Sequence, residues 1–312
     1  MSGDVAKRRR LAAALLGPEA VPEPQQPLHR VVRGEVIEAG ARTLRLATPN
    51  GEETLLLADT ASLWRGGPAA PTELRPGDDV VLRCAAGGRW VAERVWARIA
   101  RVTGVIRGRS GDGVEVDVGH DRPSATVVIG YRVSGRMAVR HPVLEPGYLF
   151  DAVGVWRDGV VHAVRPATTQ PPVPVGELRP RRRRESGPRV SGMVSWYDPA
   201  DGDPAAAGAQ LAGAAYPALD PASDCGCPPV RGCLPLPLMS LGMTFWLRND
   251  DTGDNAVVPI VACGAPAAHF CDRCAAGASA ESGRLARLTL LSFVALGGDP
   301  EVGCCNATMT TG

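Results

Sequence analysis

The stretch Leu74-Arg75-Pro76-Gly77-Asp78-Asp79-Val80-Val81-Leu82 decides the fold class. Pro76 and Gly77 make a tight turn, and the apolar run after them reads as a strand. The turn returns as Leu144, Pro146 and Gly147, an offset of 70 residues. Upstream, Gly34 and Val36 return as Gly104 and Ile106 at the same offset. Downstream, Gly88, Ala92 and Arg94 return as Gly159, Ala163 and Arg165 at an offset of 71. Three separated anchors at one spacing define a tandem repeat, over 30–97 and 98–167. Within it Arg33–Ile37, Thr43–Leu46, Glu53–Leu57 and Trp90–Val95 are short alternating segments, with Pro49-Asn50-Gly51 as a hairpin turn. The class expected is mainly all-β, built from small barrels.

On strand count and the Leu-x-Pro-Gly turn, each repeat resembles the five-stranded oligonucleotide/oligosaccharide-binding type of barrel. That resemblance implies a binding surface carrying aromatic platforms. The repeats hold few aromatics, namely Trp64, Trp90, Trp96, Tyr131, Tyr148, Phe150 and Trp156. We read them as core and spacer residues.

Composition narrows the function classes. The chain has 312 residues, a formal net charge of +1, 45% hydrophobic and 4% aromatic residues, 37 Gly and 28 Pro. A balanced charge excludes a generally basic nucleic-acid coat and an acidic solvating chain. No apolar run approaches the roughly 20 residues of a membrane-spanning helix. Residues 1–29 form an arm, basic at Arg8-Arg9-Arg10 and then Pro-rich. Leu11–Leu16 is too short for a signal-peptide core, so the arm reads as one short basic helix. Residues 168–189 read as a stiff linker, with Pro171-Pro172-Val173-Pro174 followed by Arg179 and Arg181–Arg184.

The region 190–312 opens with Gly192-Met193-Val194-Ser195-Trp196-Tyr197-Asp198. Met243–Arg248 and Ala256–Val261 read as two strands joined by a polar turn, Leu285–Leu296 as a helix, and Asn306–Thr311 as a last strand. This order resembles the Cys-rich double-psi β-barrel of the rare lipoprotein A, barwin and expansin group. The matches are Ser195-Trp196-Tyr197, the stretch Met239–Asn249, and Leu288-Thr289-Leu290-Leu291-Ser292. The resemblance implies glycan contact, with Trp196, Tyr197 and Trp246 as stacking faces for pyranose rings. It also implies an acid at the end of the strand after the turn, where this chain has Ala262. A methyl group cannot protonate a glycosidic oxygen, and the chemistry normally uses two carboxyls. Asp198 is the one candidate first carboxylate. Asp250, Asp251, Asp254 and Asp272 are candidates for the second, each read first as a turn residue.

Eight of the nine cysteines lie between Cys225 and Cys305. At that density Cys225, Cys227, Cys233, Cys263, Cys271, Cys274, Cys304 and Cys305 read as four disulfides. The alternative is a zinc ion on Cys263, His269, Cys271 and Cys274, or an iron–sulfur cluster on four thiolates of the C-terminal cysteines. No other cofactor is expected.

Three functions compete. The first is a non-catalytic binding or scaffolding protein of the cell envelope or extracellular space, contacting peptidoglycan or another polysaccharide. The second is a structural component of a phage-like virion or injection tail tip, touching other subunits of an assembly. The third is a glycan-cleaving enzyme using Asp198. No membrane span is expected, and nucleic acid is disfavoured as a partner.

Overall fold

In the computed structural model, residues 29–85, 88–119, 123–178, 189–206, 208–221, 234–264, 273–274 and 283–311 are described. The basic arm, Arg179 and Arg181–Arg184 fall outside them, as do Cys225, Cys227, Cys233, His269, Cys271 and Asp272. The chain is mainly β, as expected, and the described strands form three closed rings.

The first repeat holds β1 (Val31–Ala39), β2 (Thr43–Thr48), β3 (Gly51–Trp64), β4 (Pro68–Ala69), β5 (Asp79–Cys84) and β6 (Val91–Ala97). Its sheet runs β2-β1-β5-β6-β3-β4, and β2 also pairs with β3. Five strands therefore close on themselves, with β4 at the rim. The second repeat holds β7 (Ile99–Ser110), β8 (Gly113–Asp117), β9 (Ala125–Val128), helix α1 (Tyr131–Arg140), β10 (Leu149–Arg157) and β11 (Val160–Pro166). It closes as β10-β11-β9-β8-β7, with β9 and β11 parallel as β3 and β6 are.

The 70-residue offset survives in the pairing itself. Val31 faces Arg83 in the first barrel, and Arg101 faces Val153 in the second. The bulge between Val36 and Glu38 recurs between Ile106 and Gly108, and that between Arg83 and Cys84 recurs between Val153 and Gly154. A bulge inserts one residue and sharpens the bend a small barrel needs. The repeated anchors have backbone reasons. Gly77 and Gly147 both take positive φ, +87° and +89°, which favours glycine, and each donates its N–H to the strand opposite, Val36 O and Ile106 O. At Gly34 a Cβ would stand 2.5 Å from the carbonyl oxygen of Ala47, and at Gly104 it would collide with the equivalent carbonyl of Asp117.

The third barrel holds β13 (Arg189–Tyr197), β14 (Ala214–Tyr216), β15 (Thr244–Asn249), β16 (Asn255–Cys263), β18 (Arg284–Thr289), helix α2 (Leu290–Ala295) and β19 (Cys304–Thr310). It closes as β13-β18-β14-β16-β15-β19. The sequential strands β13 and β14 straddle β18, and β14 and β15 straddle β16, the interlocked form of a double-psi barrel. The helix expected over Leu285–Leu296 is shorter than its apolar pattern suggested. Arg284–Thr289 is a strand, paired on one side with β13 and on the other with β14, and all six of its residues are buried. A strand buried on both faces loses its alternation, and here Leu285 and Leu288 recur at a spacing of three, as they would on a helix.

The barrels do not sit as beads on a linker. Leu44, Leu46, Leu55 and Leu82 fill the first, and Val102, Val114, Val116 and Phe150 the second. Trp64, Val81, Trp96, Ile99, Val153, Val155 and Ala167 turn the other way, into the core of the third barrel. Burying each of the larger of these side chains is worth roughly 1.5–3 kcal/mol. The described start of the segment read as linker is tied down as well. Thr168–Thr169 forms β12, paired with β17 (Arg273–Cys274), and Gln170 donates to the carbonyls of Val143 and Leu149.

Candidate functional site

Strand β13 delivers Ser195, Trp196, Tyr197 and, just past its end, Asp198 to the place where the three barrels meet. All four are buried. Trp196 lies wholly in the core and donates its indole N–H to the carbonyl of Pro300 at 3.1 Å. Tyr197 is also buried, with the Arg287 guanidinium 5.1 Å from its ring centroid. Neither face is open to a sugar, so the sequence-based assignment of Trp196 and Tyr197 to ligand stacking is corrected. Their rings are needed where one barrel is laid over two others.

Asp198 is the centre of a different arrangement. Its oxygens accept from Arg33 of the first barrel at 2.7 and 2.9 Å, and from the backbone N–H groups of Ala200 and Gly202 at 3.0 Å each. Arg33 also grips Asp79 of β5 at 2.8 and 3.1 Å. The Arg33 side chain has no exposed surface. Burial pushes its guanidinium down, but bonding and charge from Asp198 and Asp79 outweigh that and hold its proton more firmly than usual. Burial pushes the Asp79 carboxyl up, against the pull of Arg33. Four donor groups occupy the Asp198 oxygens and the side chain is enclosed in a joint, so it is poorly placed to meet a substrate.

A second buried cluster ties the second barrel to the third. Asp151 of β10 accepts from Arg101 at 2.7 and 2.9 Å, from Thr103 and Thr168, and from Arg284 of β18 at 2.6 Å. Arg284 reaches on to the Ser195 hydroxyl at 3.1 Å, and Arg101 donates to the carbonyl of Gly303. Asp151, Arg101 and Arg284 have fully buried side chains. Burial pushes the Asp151 carboxyl up, but the two guanidiniums overcome it and hold the group far below the usual carboxylate range. The opening Ser-Trp-Tyr-Asp motif thus contributes to both joints, through Ser195 and Asp198. Sequence reasoning missed Arg33, Asp79, Arg101, Asp151 and Arg284. The signal available was a charge set inside an apolar strand, as in Leu149-Phe150-Asp151-Ala152-Val153.

Trp246 differs from the other two aromatics. On β15, Phe245, Leu247 and Asn249 point inward, while Thr244, Trp246 and Arg248 point out. Trp246 is half-buried, beside Val257 of β16 and Thr310 of β19 in register, with Thr308 beside Arg248. The structure therefore separates Trp246, which is partly exposed, from Trp196 and Tyr197, which are enclosed.

The remaining acids serve turns and strand ends. Asp250 accepts from the Thr308 hydroxyl, Asp251 from the backbone and side chain of Asn306, and Asp254 from the Thr252 hydroxyl. Ala262 pairs with Ala215, and both carry only methyl groups.

Among the described cysteines, Cys84 and Cys305 are buried free thiols, while Cys263 and Cys304 are disulfide-bonded. Burial pushes both free thiols above the usual range, which makes them poor nucleophiles and ligands. The expected bonding of Cys305 is thereby corrected. Cys305 follows Cys304 on β19, but its sulfur is enclosed in the barrel core. Setting aside Cys84 and Cys305 leaves seven cysteines of nine. An odd number cannot all pair within one chain, so four disulfides are excluded. The bond at Cys263 also removes one sulfur from the alternative zinc set. Among the described residues, no three His, Cys, Asp or Glu side chains are grouped to hold a metal, and no helix is long and apolar enough to cross a membrane.

No family model matches the chain, and no curated protein matches it.

Proposed function

We propose that the chain is a non-catalytic binding and scaffolding protein of the cell envelope, contacting peptidoglycan or another polysaccharide through the outer face of the third barrel. The observation that carries this reading is the outward, half-buried indole of Trp246, beside Val257 and Thr310 and near the exposed Thr244 and Arg248. A flat apolar ring bordered by hydroxyl and guanidinium donors suits a pyranose, which offers an apolar face and a rim of hydroxyls. Binding without cleavage is supported by the enclosure of Asp198 and the methyl group of Ala262. Scaffolding is supported by the two buried ionic joints and the shared core, which make three barrels into one stiff body. The same stiffness favours, as a second reading, a structural subunit of a virion or injection tail.

Titration with soluble peptidoglycan fragments, followed by tryptophan fluorescence, tests the reading. Wild type should saturate, and Trp246→Ala should bind about tenfold more weakly or worse, the scale of one lost stacking contact. Equal binding by the two proteins, or none by either, would remove Trp246 from the account.

A further inference from the structure

Among the described residues, helix α1 is the one element of the second barrel that the first barrel lacks. Where it stands, between β9 and β10, the first barrel has only β4 and a three-residue 3-10 turn, Pro71–Glu73. Both barrels nevertheless close with the same pairing, so a ten-residue helix is not required for closure.

The helix packs on β11 through a narrow face. Met137 is its one buried residue and Val133 is partly covered. At roughly 100° per residue, Tyr131, Gly135 and Val139 form the row directly opposite that face. Tyr131 is 95% exposed and Val139 77% exposed. Arg132 and Arg136, both exposed, flank the row, and Arg140, which donates to the Thr169 hydroxyl, closes the helix. From Pro123 through Leu144 the chain has no Asp or Glu. The outermost line of the helix is therefore apolar, its flank carries the exposed Arg132 and Arg136, and the helix itself holds no acid.

From this arrangement we infer that α1 is a docking surface for an anionic lipid bilayer. The order of the side chains selects that partner. A nucleic-acid backbone would have to pass Tyr131 and Val139 before reaching the arginines, and it offers nothing to an exposed valine. A bilayer accepts the two in the order presented. Tyrosine settles at headgroup level, the valine enters the acyl boundary, and arginines beside them reach the lipid phosphates. The contact is peripheral and reversible, because two apolar side chains and a few charges are far less than a spanning helix. It lies in a different barrel from Trp246 and does not depend on the polysaccharide reading.

The test is flotation of the full chain with vesicles of phosphatidylglycerol and phosphatidylcholine, against vesicles of phosphatidylcholine alone. Wild type should float with the anionic vesicles only, and added salt should release it. Arg132→Gln with Arg136→Gln should weaken the partition roughly 30-fold. Tyr131→Ala with Val139→Asn should weaken it at unchanged net charge, which a purely electrostatic contact would not. All four side chains are solvent-facing, and thermal melts matching wild type would establish that both variants fold. The inference is overturned if wild type fails to float, if the variants float as well as wild type, or if duplex DNA of equal charge concentration is bound as tightly as the vesicles.

Discussion

Asp151→Asn should lower the unfolding free energy by about 3–5 kcal/mol in urea denaturation. The substitution is nearly isosteric, so the loss is one of charge. Arg101 and Arg284 are fully buried and converge on this one carboxylate, and without it two guanidiniums face each other out of water. An isolated buried charge costs several kcal/mol, and here the Coulomb term becomes repulsive as well. Conversely, replacing all three residues with apolar side chains of similar volume is expected to cost far less, because a buried ionic cluster contributes geometry more than net stability. The pH dependence has a definite sign. The folded carboxyl lies below its unfolded value, so its contribution is present above the ordinary carboxylate range and is lost only as pH falls through the depressed folded value. Wild type should keep this joint at moderately acidic pH, while the Asn variant should show no titration of this group. A loss under about 1 kcal/mol would mean that the cluster does not hold the barrels together.

Gly104→Ala should cost about 3 kcal/mol or more, an outsized effect for one methyl group. The added Cβ would collide with the backbone carbonyl of Asp117 and meet the Val116 side chain at 2.8 Å. A carbonyl in a ladder cannot swing aside as a flexible side chain can, so β7 and β8 must separate next to their bulge. Repeat symmetry predicts the same class of loss for Gly34→Ala, opposite Ala47 in the first barrel. Thermal unfolding of both variants checks this. A melting temperature near that of wild type for either would show that the strands do not approach as closely as the repeat requires.

These two positions mark what could and could not be read from the chain. The repeat was legible because Gly34, Gly77, Gly104 and Gly147 answer to local backbone geometry, and local requirements leave local traces. Strands β15 and β16 of the third barrel were legible for the same reason, since the polar turn from Asp250 to Asp254 separates two alternating segments. Arg284–Thr289 was misread because a strand covered on both faces loses its alternation. Helix α1 left a weak trace, with only Val133 and Met137 at helical spacing and Gly135 and Ser134 between them. The ionic joints were the least legible. Arg33 and Asp198 are 165 residues apart and Asp151 and Arg284 are 133 apart, so their pairing exists only once the barrels dock. The same docking buries Trp196 and Tyr197, which read in sequence as the most inviting aromatic pair.

The central claim is that this assembly of barrels holds polysaccharide and does not cut it. The most direct measurement is incubation of the full chain with purified cell-wall sacculi, with protein in the pellet and glycan fragments in the supernatant assayed together. The account predicts wild-type protein in the pellet and no fragments above a protein-free control. Protein left in the supernatant, or fragments released by wild type and not by Asp198→Asn, would contradict it.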